Sequence, residues 1–316
     1  MQVLEYGSGE RAERPSAVTV GKFDGVHMGH QALLAATRAA AQRLGLLTGA
    51  VTFDRHPAEV LFPGSAPAYL TPLPVKLRLL EAAGADFCIV LPVDAGTLDW
   101  PPDRFVDAVL VEAARAQHVV AGPDFRYGHN REGDADTLRA AGLRCAFSVE
   151  QLPPVMVRGR RVSSYAVRRA LEAGNLPLAE AMLGRPYSVE GVVTGGKQVG
   201  RTLGWPTANV AFDVPAALPA LGIYAVTAEF DGAERPAVAS LGVRPTLEGE
   251  EAPVWLEVYV LDWSGDLYGQ RLRVTFRLRL RDEERFPGLP ELKVQIARDV
   301  EDARAYFTTK GAAGRV

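Results

Sequence analysis

Two of the chain's five histidines, His27 and His30, stand three positions apart in GKFDGVHMGHQALL, residues 21–34. Imidazoles at that spacing can ligate a metal, move protons or hold phosphate. A metal needs a third and fourth ligand, but His56, His118 and His129 are scattered, and no H-E-x-x-H run or cysteine pair accompanies them. Gly21, Gly25 and Gly29 surround the pair where an apolar strand, 17–20, hands over to an Ala- and Leu-rich helix, 30–44. Amides at a helix N-terminus are unpaired and carry partial positive charge, so such a place attracts phosphate. Glycine lets a bulky anion approach the backbone closely. Phosphate handling is therefore the first reading, with metal ligation and a structural role as the alternatives.

A second stretch offers matching chemistry. GRRVSSYAVRRALEAG, 159–174, puts Ser163 and Ser164 at a helix start and Arg168 one turn further on. Alone, the serines read as a helix cap. Beside the histidine turn, hydroxyls and a forked guanidinium make a second wall for a triphosphate.

The C-terminal half carries different signals. In VEGVVTGGKQVGRTLGWPTANV, 189–210, G-x-x-x-x-G-K and G-x-x-x-x-G-R-T each fall short of a phosphate loop, which needs lysine and hydroxyl side by side before a helix. The flanks are strand-like, and the glycines read as a flap. Thr207 and Asn209, two apart on a strand, share one face. Their oxygens are hard donors suited to Mg²⁺ bridging nucleotide phosphates, or simply solvated polar surface. In WLEVYVLDWSGDLYG, 255–269, Leu256, Val258 and Val260 form one apolar face. Trp255, Glu257, Tyr259 and Leu261 form the other, where a lone carboxylate among aromatics could act as a base near a flat ligand.

These groups need two kinds of scaffold. Up to about 182, strand-like segments (17–20, 46–53, 87–93, 118–121, 145–149) alternate with helical ones (30–44, 74–83, 104–116, 135–141, 164–173). That order predicts βαβ units, a parallel sheet covered on both faces, and ligands at the carboxyl ends of the strands. From about 186 the pattern turns to strands, 187–193, 222–230, 235–241, 254–261 and 271–281, closed by a helix over 291–306. This predicts an antiparallel barrel or sandwich, and two domains, 1–183 and 184–316. On 271–281, five arginines alternate with apolar residues. That face is expected to stay solvated or to pair with Glu283 and Glu284, a nucleic-acid groove being the sharper alternative.

Composition narrows the class. The 316 residues are 47% hydrophobic and 23% charged, with a net charge of −3, which weighs against a general nucleic-acid binder. Cys88 and Cys145 are far apart and read as free thiols of a reducing compartment. The first residues lack the regions of a signal peptide, and no apolar run approaches about 18 residues. A cytoplasmic protein without membrane or nucleic-acid partners, monomeric or weakly self-associating, is expected.

G-x-F-D-G-V-H-x-G-H followed by S-S-x-x-V-R resembles the H-x-G-H nucleotidyltransferase superfamily. Together with TFDRHPAEVL (52–61), YLTPLPVKLRLLEAAGAD (69–86) and GPDFRYGHNREGD (122–134), it resembles the adenylyltransferase half of bacterial bifunctional riboflavin kinase/FAD synthetases. Tyr165 stands where that family carries Thr or Ser, and Arg55 where proline is common. G-R-x-L-G-x-P-T-A-N, GIYAV (222–226), SLGVRPTL (240–247), LEVYVLDWSGDLYG and ERFPGLPELKVQIARDV (284–300) are similar to riboflavin kinase modules, in order and spacing. The resemblance implies a Rossmann-like α/β nucleotidyltransferase domain with a parallel sheet, then a six-stranded antiparallel β-barrel with a C-terminal helix. It implies that His27 and His30 bind the phosphates of ATP and stabilise the leaving group. Gly21, Phe23 and Asp24 would line that site, Ser163, Ser164 and Arg168 hold the β- and γ-phosphates, and Asp124 contacts the flavin. In the barrel, Thr207 and Asn209 would hold ATP–Mg²⁺, with Glu257 the base that takes the riboflavin 5′-hydroxyl proton. Substrates and products would be riboflavin, FMN, FAD and ATP. The rival readings are a nucleotidyltransferase for another phosphorylated small molecule with a passive barrel, and a nucleic-acid-binding OB-like protein.

Overall fold

Six short segments of the first half pair into one sheet in the computed structural model, which describes residues 1–195, 204–243 and 254–313. They are β1 (Gln2–Glu5), β2 (Ser16–Val20), β3 (Leu47–Phe53), β4 (Phe87–Leu91), β5 (Ala116–Ala121) and β6 (Ser148–Gln151), in the order β1-β4-β3-β2-β5-β6. Every pairing is parallel. SAVTV and FCIVL are buried at every position, as a sheet covered on both faces requires. Gly49 of β3 admits no side chain, because a Cβ there would lie 2.3 Å from Phe87 Cζ and 2.8 Å from Val18 Cγ1.

Helices α1 (Met28–Leu44), α2 (Ala58–Leu61), α3 (Leu73–Ala82), α4 (Ala95–Leu98), α5 (Pro102–Phe105) and α6 (Ala135–Cys145) lie in the connections. Three boundaries differ from the sequence reading. The edge strand β1 was not expected, since QVLE has no apolar run. The helix expected over 104–116 is α5 continued as a π-helix, Val106–Ala113, and it yields to β5 at Ala116. The strand expected from 145 begins at Ser148, because α6 runs to Cys145 and Ala146 closes it in the left-handed region at φ 60°. A two-stranded hairpin, β7 (Met156–Val157) and β8 (Arg160–Arg161), precedes α7 (Ser164–Glu172) and α8 (Leu176–Leu183).

The chain packs as two compact units, Met1–Ala166 and Val167–Val316. The second unit contains a closed antiparallel barrel of β9 (Ser188–Thr194), β10 (Ala208–Ala211), β11 (Gly222–Phe230), β12 (Ala233–Val243), β13 (Val254–Val260) and β14 (Arg271–Arg281), ordered β10-β13-β12-β11-β14-β9. Period-2 alternation buries Leu256 and Val258 of β13 and Leu272, Val274 and Phe276 of β14. Helix α9 (Leu289–Ala313) places Val300 and Ala303 in a cluster with Ala225 and Leu261. It is latched there by Arg281, whose Nε and Nη2 donate to the two oxygens of Asp299 at 2.8 Å each.

The arginine strand departs from expectation. Among the described residues its hydrogen bonds and ion pairs go mainly elsewhere, with Glu284 acting on Arg281 through charge alone: Arg271 bonds Asp213, Arg273 bonds Glu190 and Glu229, and Arg277 bonds Thr227 and Glu234. Arg279 reaches the Leu221 carbonyl and Asp282. Neighbouring strands put carboxylates opposite the arginines, nearer than the residues that follow in sequence. Two register shifts against β11 also break the alternation, leaving Leu278 exposed.

The segment read as a flap falls largely on 196–203, and the end of SLGVRPTL on 244–247; both lie outside the described residues.

Candidate functional site

The histidine turn leaves the carboxyl end of β2. From β2 the chain moves to β3 on one side, while β5 and β6 occupy the other, so the turn sits at the topological switch point where such sheets bind ligands. Three of its residues take left-handed backbone, Phe23 (φ 50°), Gly25 (φ 86°) and Val26 (φ 38°). For a β-branched valine this is strained. Hydrogen bonds to residues outside the turn hold it. Asp24 is buried and its Oδ1 accepts from the amides of Leu70 and Thr71 at 3.0 Å each. The Gly25 amide donates to Thr71 Oγ1 at 2.8 Å, and Gln31 Nε2 to the Val26 carbonyl at 2.8 Å.

His27 caps α1, its Nδ1 accepting from the His30 amide at 3.3 Å. The two rings stack with centroids 3.6 Å apart and planes 13° from parallel, and Phe23 meets His30 edge-on at 5.1 Å. Gly29 leaves room for this stack, because a Cβ there would come within 3.1 Å of the His27 ring and press on it. His30 Nδ1 is buried without a hydrogen-bond partner. Burial, and then the charges of His27, Lys76 and Lys22, push the His30 pKa well below its ordinary value, so the ring is neutral at neutral pH. A buried polar atom left unpaired costs free energy that a bound ligand can recover.

The second expected wall reaches this turn. Ser164 Oγ, 140 residues distant in sequence, donates to the Asp24 carbonyl at 2.8 Å, while Ser163 Oγ accepts from the Ala166 amide at 3.1 Å. Arg168 follows Ser164 by one turn of α7. Gly21 opens the turn, its amide on the Val51 carbonyl at 3.0 Å. Phe23 is wholly buried and the Asp24 carboxylate is occupied by backbone amides, so both shape the turn from within. Asp124, beyond the carboxyl end of β5, is exposed and ion-paired to Arg161. Tyr165 is 72% exposed.

One group beside the turn escaped the sequence reading. Lys76 of α3 is 3% exposed; its Nζ donates to Thr52 Oγ1 at 3.2 Å and to the Phe53 carbonyl at 2.9 Å. The available signal was its position on the apolar side of α3, with Leu73 and Leu80. Among the described residues, no three His, Cys, Asp or Glu side chains gather to hold a metal.

In the barrel, antiparallel register does the positioning. Asn209 of β10 pairs with Glu257 of β13, which pairs in turn with Ser240 of β12. Directly opposed residues share a face, so Asn209 and Glu257 lie together on the face opposite Leu256 and Val258. Thr207, just before β10, donates its hydroxyl to Glu257 Oε2 at 3.3 Å. The three residues picked out from two separate motifs are therefore neighbours. Thr207 and Glu257 meet through oxygens, Asn209 carries an amide oxygen, and Asn209 is buried. That donor chemistry fits Mg²⁺, which takes one or two protein oxygens and completes its shell with phosphate and water.

Known proteins match both halves. The FAD synthetase family model covers residues 9–166 and the riboflavin kinase model 183–307. The bifunctional riboflavin kinase/FMN adenylyltransferase of Pseudomonas fluorescens is 42% identical over 292 residues, 92% of this chain and 93% of its own. Those of Escherichia coli K12 and Bacillus subtilis are 40% and 34% identical, covering 92% and 93% of this chain and equal shares of their own. The crystal structure of a macrolide-efflux protein from Streptococcus pneumoniae matches with a TM-score of 0.85 at 29% identity, over 96% of this chain and 99% of that one. Among this chain's described residues no helix is long and apolar enough to cross a membrane. With matches running nearly end to end through both halves, the chain belongs to the family of bifunctional riboflavin kinase/FMN adenylyltransferases.

Proposed function

We propose that the chain makes FAD from riboflavin in two ATP-dependent steps, with residues 184–316 forming FMN and residues 1–183 adenylylating it. The observation that carries both steps is the Pseudomonas fluorescens relative's alignment over 93% of its own length, which leaves neither half missing. In the barrel, Glu257 takes the proton of the riboflavin 5′-hydroxyl as that oxygen attacks the γ-phosphorus of ATP. The register supports this role, since it sets Glu257 between Asn209 and Ser240 in the sheet, and the Thr207 hydroxyl donates to its carboxylate. Thr207 and Asn209 would hold Mg²⁺, which when bound neutralises phosphate charge.

At the histidine turn, the FMN phosphate attacks the α-phosphorus of ATP and pyrophosphate leaves. Such in-line transfer rests on positioning and charge stabilisation. His27 and His30 bind the phosphates, with the unpartnered His30 Nδ1 in support. Ser163, Ser164 and Arg168 hold the β- and γ-phosphates, Gly21, Phe23 and Asp24 shape the ATP site, and Asp124 contacts the flavin. The partners are small molecules only, in the cytoplasm, with the chain monomeric or weakly self-associating. The arginine strand supports the exclusion of nucleic acid, because carboxylates already neutralise it.

Incubation with riboflavin, ATP and Mg²⁺, with products separated by chromatography, tests this. FMN followed by FAD is expected; neither product would reject the reading. FAD from supplied FMN without FMN formation would leave only the nucleotidyltransferase.

A further inference from the structure

Lys76 is a buried ammonium whose hydrogen-bond partners, the Thr52 hydroxyl and the Phe53 carbonyl, are both neutral. Among the described residues it has no carboxylate within ion-pairing distance. Burying a charge without a counter-ion is costly and is rarely kept without a use. Its location indicates the use. Thr52 Oγ1, which takes the Lys76 bond, also lies 3.3 Å from the carbonyl of Lys22, so the amine is one hydroxyl away from the histidine turn. Phe53 ends β3, so the charge sits at the carboxyl end of the sheet, where the anionic ligand is expected.

We propose that Lys76 is a positioning residue for FAD formation, a fixed buried cation that draws the phosphates of ATP onto the histidine turn. This rests on the assignment of FMN adenylylation to that turn. The titratable and charged groups around it are Asp24 on the turn, Asp54 after β3, Cys88 on β4, and the basic Lys22, His27 and His30. Desolvation pulls the Lys76 pKa down to about 8, with Asp24, Cys88 and Asp54 opposing the fall, so it remains charged at pH 7. Its charge in turn helps keep His30 neutral. The turn thus carries positive potential that does not depend on protonating an imidazole.

The test uses the full chain with Lys76→Met, which keeps the side chain's length without its charge, and Lys76→Arg, which keeps the charge. The urea midpoint of the α/β unit, followed by pulse proteolysis, reports whether each variant is folded around Lys76, and riboflavin phosphorylation by the same molecules is the internal reference for the barrel unit. In Lys76→Met, kcat/KM for ATP in FMN adenylylation should fall at least about tenfold with FMN formation unchanged. Lys76→Arg should retain more activity than Lys76→Met. The His30 imidazole, followed by NMR, should titrate at higher pH in Lys76→Met while staying below its ordinary range. Adenylylation within about twofold of the parent, equal losses in both variants, or an unmoved His30 titration would each overturn the proposal. Failure of the parent chain to convert FMN to FAD would instead overturn the assignment on which it rests.

Discussion

The two candidate sites, each proposed to take ATP, are built in opposite ways. The histidine turn is made of strained backbone, with left-handed Phe23, Gly25 and Val26 held by the turn's own Asp24 and by Thr71, Gln31 and Ser164 from three other segments. The barrel site is made of side chains on regular backbone, with Asn209, Glu257 and Ser240 in consecutive register on β10, β13 and β12. A ladder keeps its geometry when one side chain is trimmed, because backbone bonds carry it. A turn held by side chains does not. Function and local stability should therefore separate cleanly in the barrel and be entangled at the turn.

The largest effect that can break this comparison is expected at Glu257. Glu257→Gln should slow FMN formation about 100- to 10,000-fold, the usual contribution of a general base, without changing the melting temperature or the conversion of supplied FMN to FAD. His30→Ala should slow FAD formation about 100- to 1,000-fold and leave FMN formation intact. Measured side by side, the two variants must fail at different steps. A shared failure would mean that one site serves both reactions. Chelation of Mg²⁺ should stop FMN formation, and readdition should restore it.

How far these sites could be read from the chain follows from how they are built. The faces of Glu257, Thr207 and Asn209 were legible because period-2 alternation assigns them without knowledge of the partner strands, whereas their grouping into one site came from the family resemblance. His27 and His30 were legible because glycines and a helix start flank them. What held the turn was not, since the Asp24 bonds to Leu70 and Thr71 cross some 46 residues and depend on how α3 packs. Lys76 was hidden for the same reason: a lysine reads as solvent-facing until the sheet edge above it is known. Likewise β1 is an edge strand whose apolar content is too slight to register, and the arginines of β14 took cross-strand partners that sequence proximity did not indicate.

A smaller effect should separate the two constructions by stability. Thr71→Val removes the oxygen that accepts from the Gly25 amide, a buried hydrogen bond whose loss costs about 0.5–1.5 kcal/mol. FAD formation should fall and the α/β unit should unfold at lower urea, with FMN formation untouched. Ser240→Ala, beside Glu257 in the ladder, should change barrel stability by less than about 0.5 kcal/mol. If the two substitutions cost the same, backbone strain is not what distinguishes the sites.

The smallest effect concerns the pH dependence of the α/β unit. Lys76 has its pKa lowered from 10.5 to about 8 by burial, so below pH 8 both folded and unfolded chains carry its proton. Above pH 8 the folded chain releases that proton first, the unfolded chain binds more protons, and stability rises with pH. Cys88 acts in the opposite sense, because burial raises its thiol from 9.0 to about 12. Above pH 9 the unfolded thiol ionises while the folded one does not, and stability falls. Tyr69, raised from 10.0 to about 12, adds to that fall from pH 10. Only between pH 8 and 9 does Lys76 act unopposed by these two, and there it should add about 1 kcal/mol. Pulse proteolysis in urea, which separates the units by fragment size, should show this rise in the parent chain and lose it in Lys76→Met. Among the described residues of the barrel unit no lysine is buried in this way, so its midpoint should stay level across the same window. A rise shared by both units would assign the effect to the bulk charge of the chain and not to the amine beside the histidine turn.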